Sequence, residues 1–152
     1  MNIELLRAKK EDIDELMKMQ KESFKQLLDK YNDGDKNPYN DSYEKYKFKI
    51  DNCFYYYIII DGVKVGAISI YDKNDGSKKK IAPIYILPKY QNKGYGQLAI
   101  KKVEEIHGND NWKLDTILEE EGNCHLYEKF GYKKTGKYEK ISDIQTIVFY
   151  EK

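Results

Sequence analysis

The sequence is short of the residues that staple or clamp a small protein. Its 152 residues include two cysteines, three prolines and one tryptophan, and a single arginine, Arg7, stands among 27 basic residues. Cys53 and Cys124 lie in unrelated segments with no regular spacing, which excludes a disulfide framework and reads as free thiols. Cys124 and His125 are neighbours whose side chains diverge by about 100° on a helix, so they cannot pair as nucleophile and base. With only Cys53 and His107 beyond them there is no zinc spacing, and no metal is expected. Charge of one sign is missing too, because 27 basic residues face 26 acidic ones. Proteins that grip nucleic acid or anionic membranes by charge show a basic excess or stripe, so neither partner is expected. The longest apolar run, Phe54 to Ile60, is far below the roughly 20 residues that cross a bilayer. The first residues show no basic region followed by an apolar stretch, so no signal peptide is expected and the cytoplasm is the expected location.

What is present fits one domain over residues 1–152. A chain of this length buries roughly two-thirds of its unfolded surface and needs no staples. The 15 tyrosines and the lysine-dominated basic set read as compositional bias. Ile3 to Arg7 reads as a strand. From Lys10 onward, Ile13, Leu16, Met17, Gln20, Phe24, Leu27 and Leu28 recur at helical spacing. Asp29 to Ser42 is loop-like, and Tyr43 to Asp51 forms a second, polar helix. Asp61-Gly62 joins two apolar runs as a hairpin, and a third strand spans about Ile81 to Leu87. A helix opening near Tyr95, a strand over Trp112 to Leu118, a short helix over Cys124 to Phe130 and two closing strands complete the chain. The order is β-α-α-β-β-β-α-β-α-β-β. The expected fold class is therefore α+β, a mixed and mostly antiparallel central sheet with helices on both faces. The one parallel pair flanks the third helix, and ligands bind at such strand ends.

The segment Ile84 to Gln97 carries the strongest chemical signal. A strand runs into a turn holding Gly94 and Gly96 and then into a helix, so backbone N–H groups form a cradle for phosphate oxygens. The third glycine of the dinucleotide fingerprint and the Gly-Lys-Ser/Thr end of the P-loop are both absent. Alone, the paired glycines are weak evidence and read more readily as an ordinary helix start.

The surroundings narrow the reading. Gln91-x-x-Gly94-x-Gly96, preceded by Ile86-x-Pro88-x-Tyr90, resembles the acyl-CoA-binding motif of the GNAT superfamily of N-acetyltransferases. Leu126-Tyr127-Glu128-Lys129-Phe130-Gly131-Tyr132 is similar to that family's segment after the fifth strand, and the element order agrees over nearly the whole chain. The resemblance implies an enzyme that moves an acetyl group from acetyl-CoA to a small-molecule amine by direct transfer. A protein N-terminus or lysine is the alternative acceptor, and an idle acyl-CoA-binding or regulatory module is the non-enzyme alternative. A homodimer stays open.

The resemblance also implies roles. Ile84, Tyr85 and Ile86 would pair through their backbone with the pantetheine arm, and Gln91, Asn92, Lys93, Gly94, Tyr95, Gly96 and Gln97 would surround the pyrophosphate. Lys93 stands where the family often has Arg, keeping the charge without the bidentate fork. Pro83 fits the family's bulged fourth strand around Ala82 to Ile84, or else an edge strand. Tyr127 matches the general-acid tyrosine, with core packing as its other reading. The family's fourth-strand Glu has only Lys80 as a counterpart, so Asp115 on the fifth strand is the candidate base, against a water-relayed base or none. The family's pantetheine-contacting Asn is Glu120 here. Asn123 either substitutes for it or caps the following helix. Lys78 to Lys80 read as a solvated turn or a contact for the CoA 3′-phosphate. Asp29, Asp33, Asp35 and Asp41 read as a solvated loop or as an attraction for a cationic acceptor.

Overall fold

Residues 2–152 are described by a computed structural model. Seven strands, β1 (Ile3–Arg7), β2 (Phe54–Ile60), β3 (Val63–Tyr71), β4 (Lys79–Ile86), β5 (Trp112–Ile117), β6 (Lys133–Ser142) and β7 (Gln145–Glu151), form one sheet in the order β1-β2-β3-β4-β5-β7-β6. Helices α1 (Ile13–Tyr31), α2 (Tyr43–Asn52), α3 (Tyr95–His107) and α4 (Glu121–Lys129) cover it. Only β4 and β5 run parallel; every other pairing is antiparallel. This is the expected α+β fold.

Strand β2 explains why both faces are covered. Side chains alternate across a strand, and here both sets are apolar. Tyr55, Tyr57 and Ile59 join Ile13, Leu16 and Met19 of α1 and Tyr46 of α2 in one core. Tyr56, Ile58 and Ile60 join Ala99, Ile100 and Val103 of α3 and Cys124 and Tyr127 of α4 in the other. Each such buried side chain contributes roughly 1.5–3 kcal/mol of transfer free energy. The hairpin after β2 turns at Asp61 and Gly62, both with positive φ (48° and 83°), the left-handed pair that a tight Asp-Gly turn requires. Across β3 the sheet closes tightly on Gly66, where a Cβ would overlap the Tyr85 carbonyl oxygen of β4.

The expected irregularity in β4 is present. Ile68 and Ile70 of β3 pair with Ile84 and Ile81, so three steps along β4 match two along β3. Ile81 and Ile84 therefore lie against the same core despite their odd spacing, which is the signature of one inserted residue. Pro83 sits in that bulge.

Two local expectations change. The stretch expected to be irregular from Asp29 to Ser42 holds the end of α1 and two 3-10 turns, Gly34–Lys36 and Pro38–Asn40. Buried Gln20 organises it by donating to the Pro38 carbonyl at 2.7 Å and to Asp41 Oδ2 at 2.9 Å, while accepting from the Tyr55 hydroxyl at 3.1 Å. Helix α4 starts at Glu121, so Asn123 lies inside its first turn and does not cap it. Among the described residues no helix is long and apolar enough to cross a membrane, and no three His, Cys, Asp or Glu side chains are gathered for a metal.

Candidate active site

The site grows from a defect in the sheet. Strands β4 and β5 share only two rows, Lys79 with Trp112 and Lys80 with Lys113. Beyond them the strands continue to Ile86 and Ile117 without pairing with each other. The bulge at Ala82 and Pro83 lies where they part, so β4 has a free backbone edge from there onward. Two cavities open into this wedge.

The first, about 400 Å³, runs along residues 84–86 of β4, past the turn before α3, to Gly122, Asn123 and Leu126 of α4. In that turn Asn92 (φ 63°) and Gly94 (φ 80°) are both left-handed, which curls the backbone into a concavity. The first hydrogen bond within α3 runs from the Leu98 N–H to the Gly94 carbonyl, which leaves the N–H groups of residues 95–97 without helical acceptors. These donors and the positive end of the helix dipole suit an anion.

Individual residues of this groove divide into distinct roles. Gln91 donates from Nε2 to the Ile86 carbonyl at 2.9 Å and so fastens the turn to the strand end. Gln97 lines the groove and accepts from Lys129 Nζ at 2.8 Å, tying α3 to α4. Tyr95 packs on the α3–α4 core and also lines the groove. Lys93 is exposed beside the turn. The Tyr85 ring points away, into the α1–α2 core, where its hydroxyl lies 3.3 Å from that of Tyr55. Only its backbone belongs to the edge, whereas Ile84 and Ile86 pack against the opposite core.

Glu120, where the family carries an Asn, is committed elsewhere. It accepts from Tyr31 Oη at 2.6 Å and from Lys30 Nζ at 2.7 Å, anchoring the end of α1. Burial alone would raise its carboxyl, but these hydrogen bonds outweigh that and hold it below the usual range.

The second cavity, about 580 Å³, lies over β5, β6 and β7 and under the loop between α1 and α2. Phe24, Leu27, Ile84, Asn123 and Tyr127 line both cavities, so the two meet at the wedge. Tyr127 is 7% exposed and packs edge-on against Tyr132, with ring centroids 6.0 Å apart. Burial, reinforced by the nearby carboxylate of Asp115, raises its phenol well above the ordinary value. Asp115 projects into the second cavity with Lys80 Nζ 3.5 Å from its carboxylate.

Lys49 of α2 escapes sequence reasoning. It is 4% exposed, lines the second cavity and donates to the Ala82 carbonyl at the bulge at 3.1 Å. Burial lowers its ammonium to about 8, a shift that Asp41 opposes and Lys45 and Lys80 assist. Its signal was a lysine three residues after Tyr46 and four before Cys53, on the apolar side of a polar helix. Gln145, also within the cavity wall, carried no sequence signal.

The family model described as the acetyltransferase (GNAT) family matches residues 14–132. No curated protein matches the chain. Among solved structures, the PaiA N-acetyltransferase of Thermoplasma acidophilum, in complex with coenzyme A, is 18% identical with a TM-score of 0.72, each chain covered in full. The spermidine N-acetyltransferase of Vibrio cholerae, in complex with CoA and spermine, is 15% identical with a TM-score of 0.75, over 97% of this chain and 93% of that one. A GNAT acetyltransferase from Elizabethkingia anophelis with acetyl-CoA bound is 18% identical with a TM-score of 0.58, over 73% of this chain and 82% of that one. These likenesses establish the fold, and the family match spans the groove along β4 and the turn before α3 but stops before β6 and β7, which line part of the second cavity. The chain belongs to the GNAT family of acetyltransferases.

Proposed function

We propose that the protein transfers an acetyl group from acetyl-CoA to the amine of a small molecule, directly, with both substrates bound together. One observation carries this reading: a groove with an anion cradle and a separate polar cavity meet at Ile84, Asn123 and Tyr127. A binding module would need the first cavity but not the second. The CoA- and spermine-bound neighbour supports a small amine as acceptor.

The groove divides the labour by chemistry. Backbone groups of Ile84, Tyr85 and Ile86 on the free β4 edge pair with the pantetheine amides, a form of strand addition. Residues 92–97 hold the pyrophosphate through backbone N–H groups, with Gln91 bracing the turn and Lys93 adding charge from outside. Asn123 faces the junction of the two cavities and takes the contact that Glu120, bound to Lys30 and Tyr31, has given up.

Transfer to an amine needs the neutral base, yet an aliphatic amine with a pKa of about 10 is neutral in only about one molecule in a thousand at pH 7. The neutral fraction of the amine is the species that reacts, and Asp115 takes the proton that the nitrogen loses as the adduct becomes an amide. A backbone N–H of β4 next to the bulge stabilises the oxyanion as the amine adds to the thioester carbon. Collapse breaks the C–S bond. Tyr127 stays protonated because its phenol is raised, and it donates a hydrogen bond to the departing sulfur.

The test is thiol release from acetyl-CoA across a panel of small amines, paired with thermal unfolding. CoA at about 100 times its Kd stabilises a one-site protein by roughly 2.7 kcal/mol. No shift with acetyl-CoA refutes the groove assignment. A shift with no thiol release on any amine refutes the transferase.

A further inference from the structure

The charges in the acceptor cavity are not evenly matched. Three of its lysines have carboxylate partners: Lys36 with Glu139 at 3.6 Å, Lys45 with Asp41 at 3.2 Å and Lys80 with Asp115 at 3.5 Å. Asp33 and Asp35 also line the cavity and have no cationic partner among the described residues. Asp33 is held by neutral donors, Asn37 Nδ2 at 3.1 Å and Gln145 Nε2 at 2.9 Å.

The bond from Gln145 fixes the direction of its amide. A carboxylate only accepts, so the NH₂ group must face Asp33 and the carbonyl oxygen must face away from it. Gln145 is 2% exposed and lines the cavity, yet its Oε1 receives no hydrogen bond. A buried acceptor left in that state carries its full desolvation penalty. The place therefore lacks a donor and has negative charge beside it. An ammonium group answers both needs, a hydroxyl answers one, and an anion answers neither. Lys49 does not serve, because its ammonium is turned to the Ala82 carbonyl.

Strand geometry puts this place far from the proposed base. Gln145, Ile147 and Phe149 share one face of β7 and all line the cavity, and Phe149 pairs with Asp115. Four residues of strand separate Gln145 from the Asp115 row by roughly 13 Å. Asp115 and Gln145 therefore line well-separated parts of the same cavity.

We infer that Gln145, Asp33 and Asp35 form a subsite for a second, non-reacting ammonium group, so that the acceptor is an elongated diamine or polyamine. The identity of the reacting end rests on the transferase reading above; the subsite does not.

Calorimetry on the CoA-saturated protein, with thiol release measured in parallel, separates the two. The ligands are a straight-chain diamine with seven carbons, the monoamine of the same length, and the amino acid in which a carboxylate replaces the second amine. The diamine is expected to bind at least about tenfold more tightly than the monoamine, the scale of a charge-assisted hydrogen bond, with the amino acid weakest. Asp35→Asn, on the exposed loop, and Asp33→Asn combined with it should each narrow the diamine-to-monoamine ratio, as should Gln145→Leu. Equal affinity for diamine and monoamine in the wild type, tighter binding of the amino acid, or an undiminished ratio in the double Asp variant would overturn the subsite. A diamine that binds tenfold more tightly but is never acetylated upholds the subsite and removes the transferase reading.

Discussion

Lys49 offers a measurable consequence of how the acceptor side is built. Its ammonium is buried at the β4 bulge and lowered from 10.5 to about 8, chiefly by desolvation. In the unfolded chain it returns to its ordinary value. Between those two values the unfolded state keeps a proton that the folded state has lost, so this residue makes stability rise as pH increases. Well below pH 8 the full penalty applies; the fall from 10.5 to about 8 makes it roughly 3 kcal/mol. Cys53 and the buried tyrosines, whose values are raised, act in the opposite sense at alkaline pH. The comparison must therefore be a difference. Lys49→Met keeps the volume of the stem and removes the charge, and urea unfolding is followed for both proteins from about pH 7 to 10. The stability of the variant relative to the wild type should fall by about 2.5 kcal/mol across that range, as the penalty on the wild type lifts. A difference that does not change with pH would mean that Lys49 titrates as an exposed lysine, and the assigned burial of its charge would be wrong.

Other outcomes follow from the same geometry. Tyr127→Phe keeps the ring packed against Tyr132 and removes one charge-assisted hydrogen bond, so kcat should drop about ten- to a hundredfold with little change in KM for acetyl-CoA; an unchanged kcat on a good substrate would refute the role. Because the phenol is raised, the wild type should show no loss of kcat from this group below about pH 10. Asp115→Asn should lower kcat/KM about a hundredfold or more, and a variant that keeps the wild-type rate would rule Asp115 out as the base. Gly66→Ala forces a Cβ onto the Tyr85 carbonyl, so chemical denaturation should show a loss of about 1–3 kcal/mol or more.

Legibility from sequence varied with the range of the interaction. The Asp61-Gly62 turn, the helix opening near Tyr95 and the apolar run that becomes β2 are local, and each appears in the fold as expected. Pro83 announced the β4 bulge for the same reason, since proline limits its own backbone. Asn123 misled, because side-chain capping preference is weak against the tertiary anchor that Glu120 makes with α1. The long loop read as irregular because nothing local shows that Gln20, buried in α1, supplies the hydrogen bonds that order it.

By itself, then, the sequence determined the order of elements, the glycine turn that opens α3 and the candidacy of Tyr127, because backbone conformation and motif spacing are properties of neighbouring residues. Only the tertiary structure decided that β4 and β5 part after two rows, that Lys80 pairs with Asp115, and that Lys49 is buried at the bulge. It alone also turned the amide of Gln145 toward Asp33 and left its oxygen without a donor. These depend on residues 33 to 112 positions apart meeting in space. Charge pairing and desolvation act through space, and no pattern along the chain encodes which partner a buried charge will find.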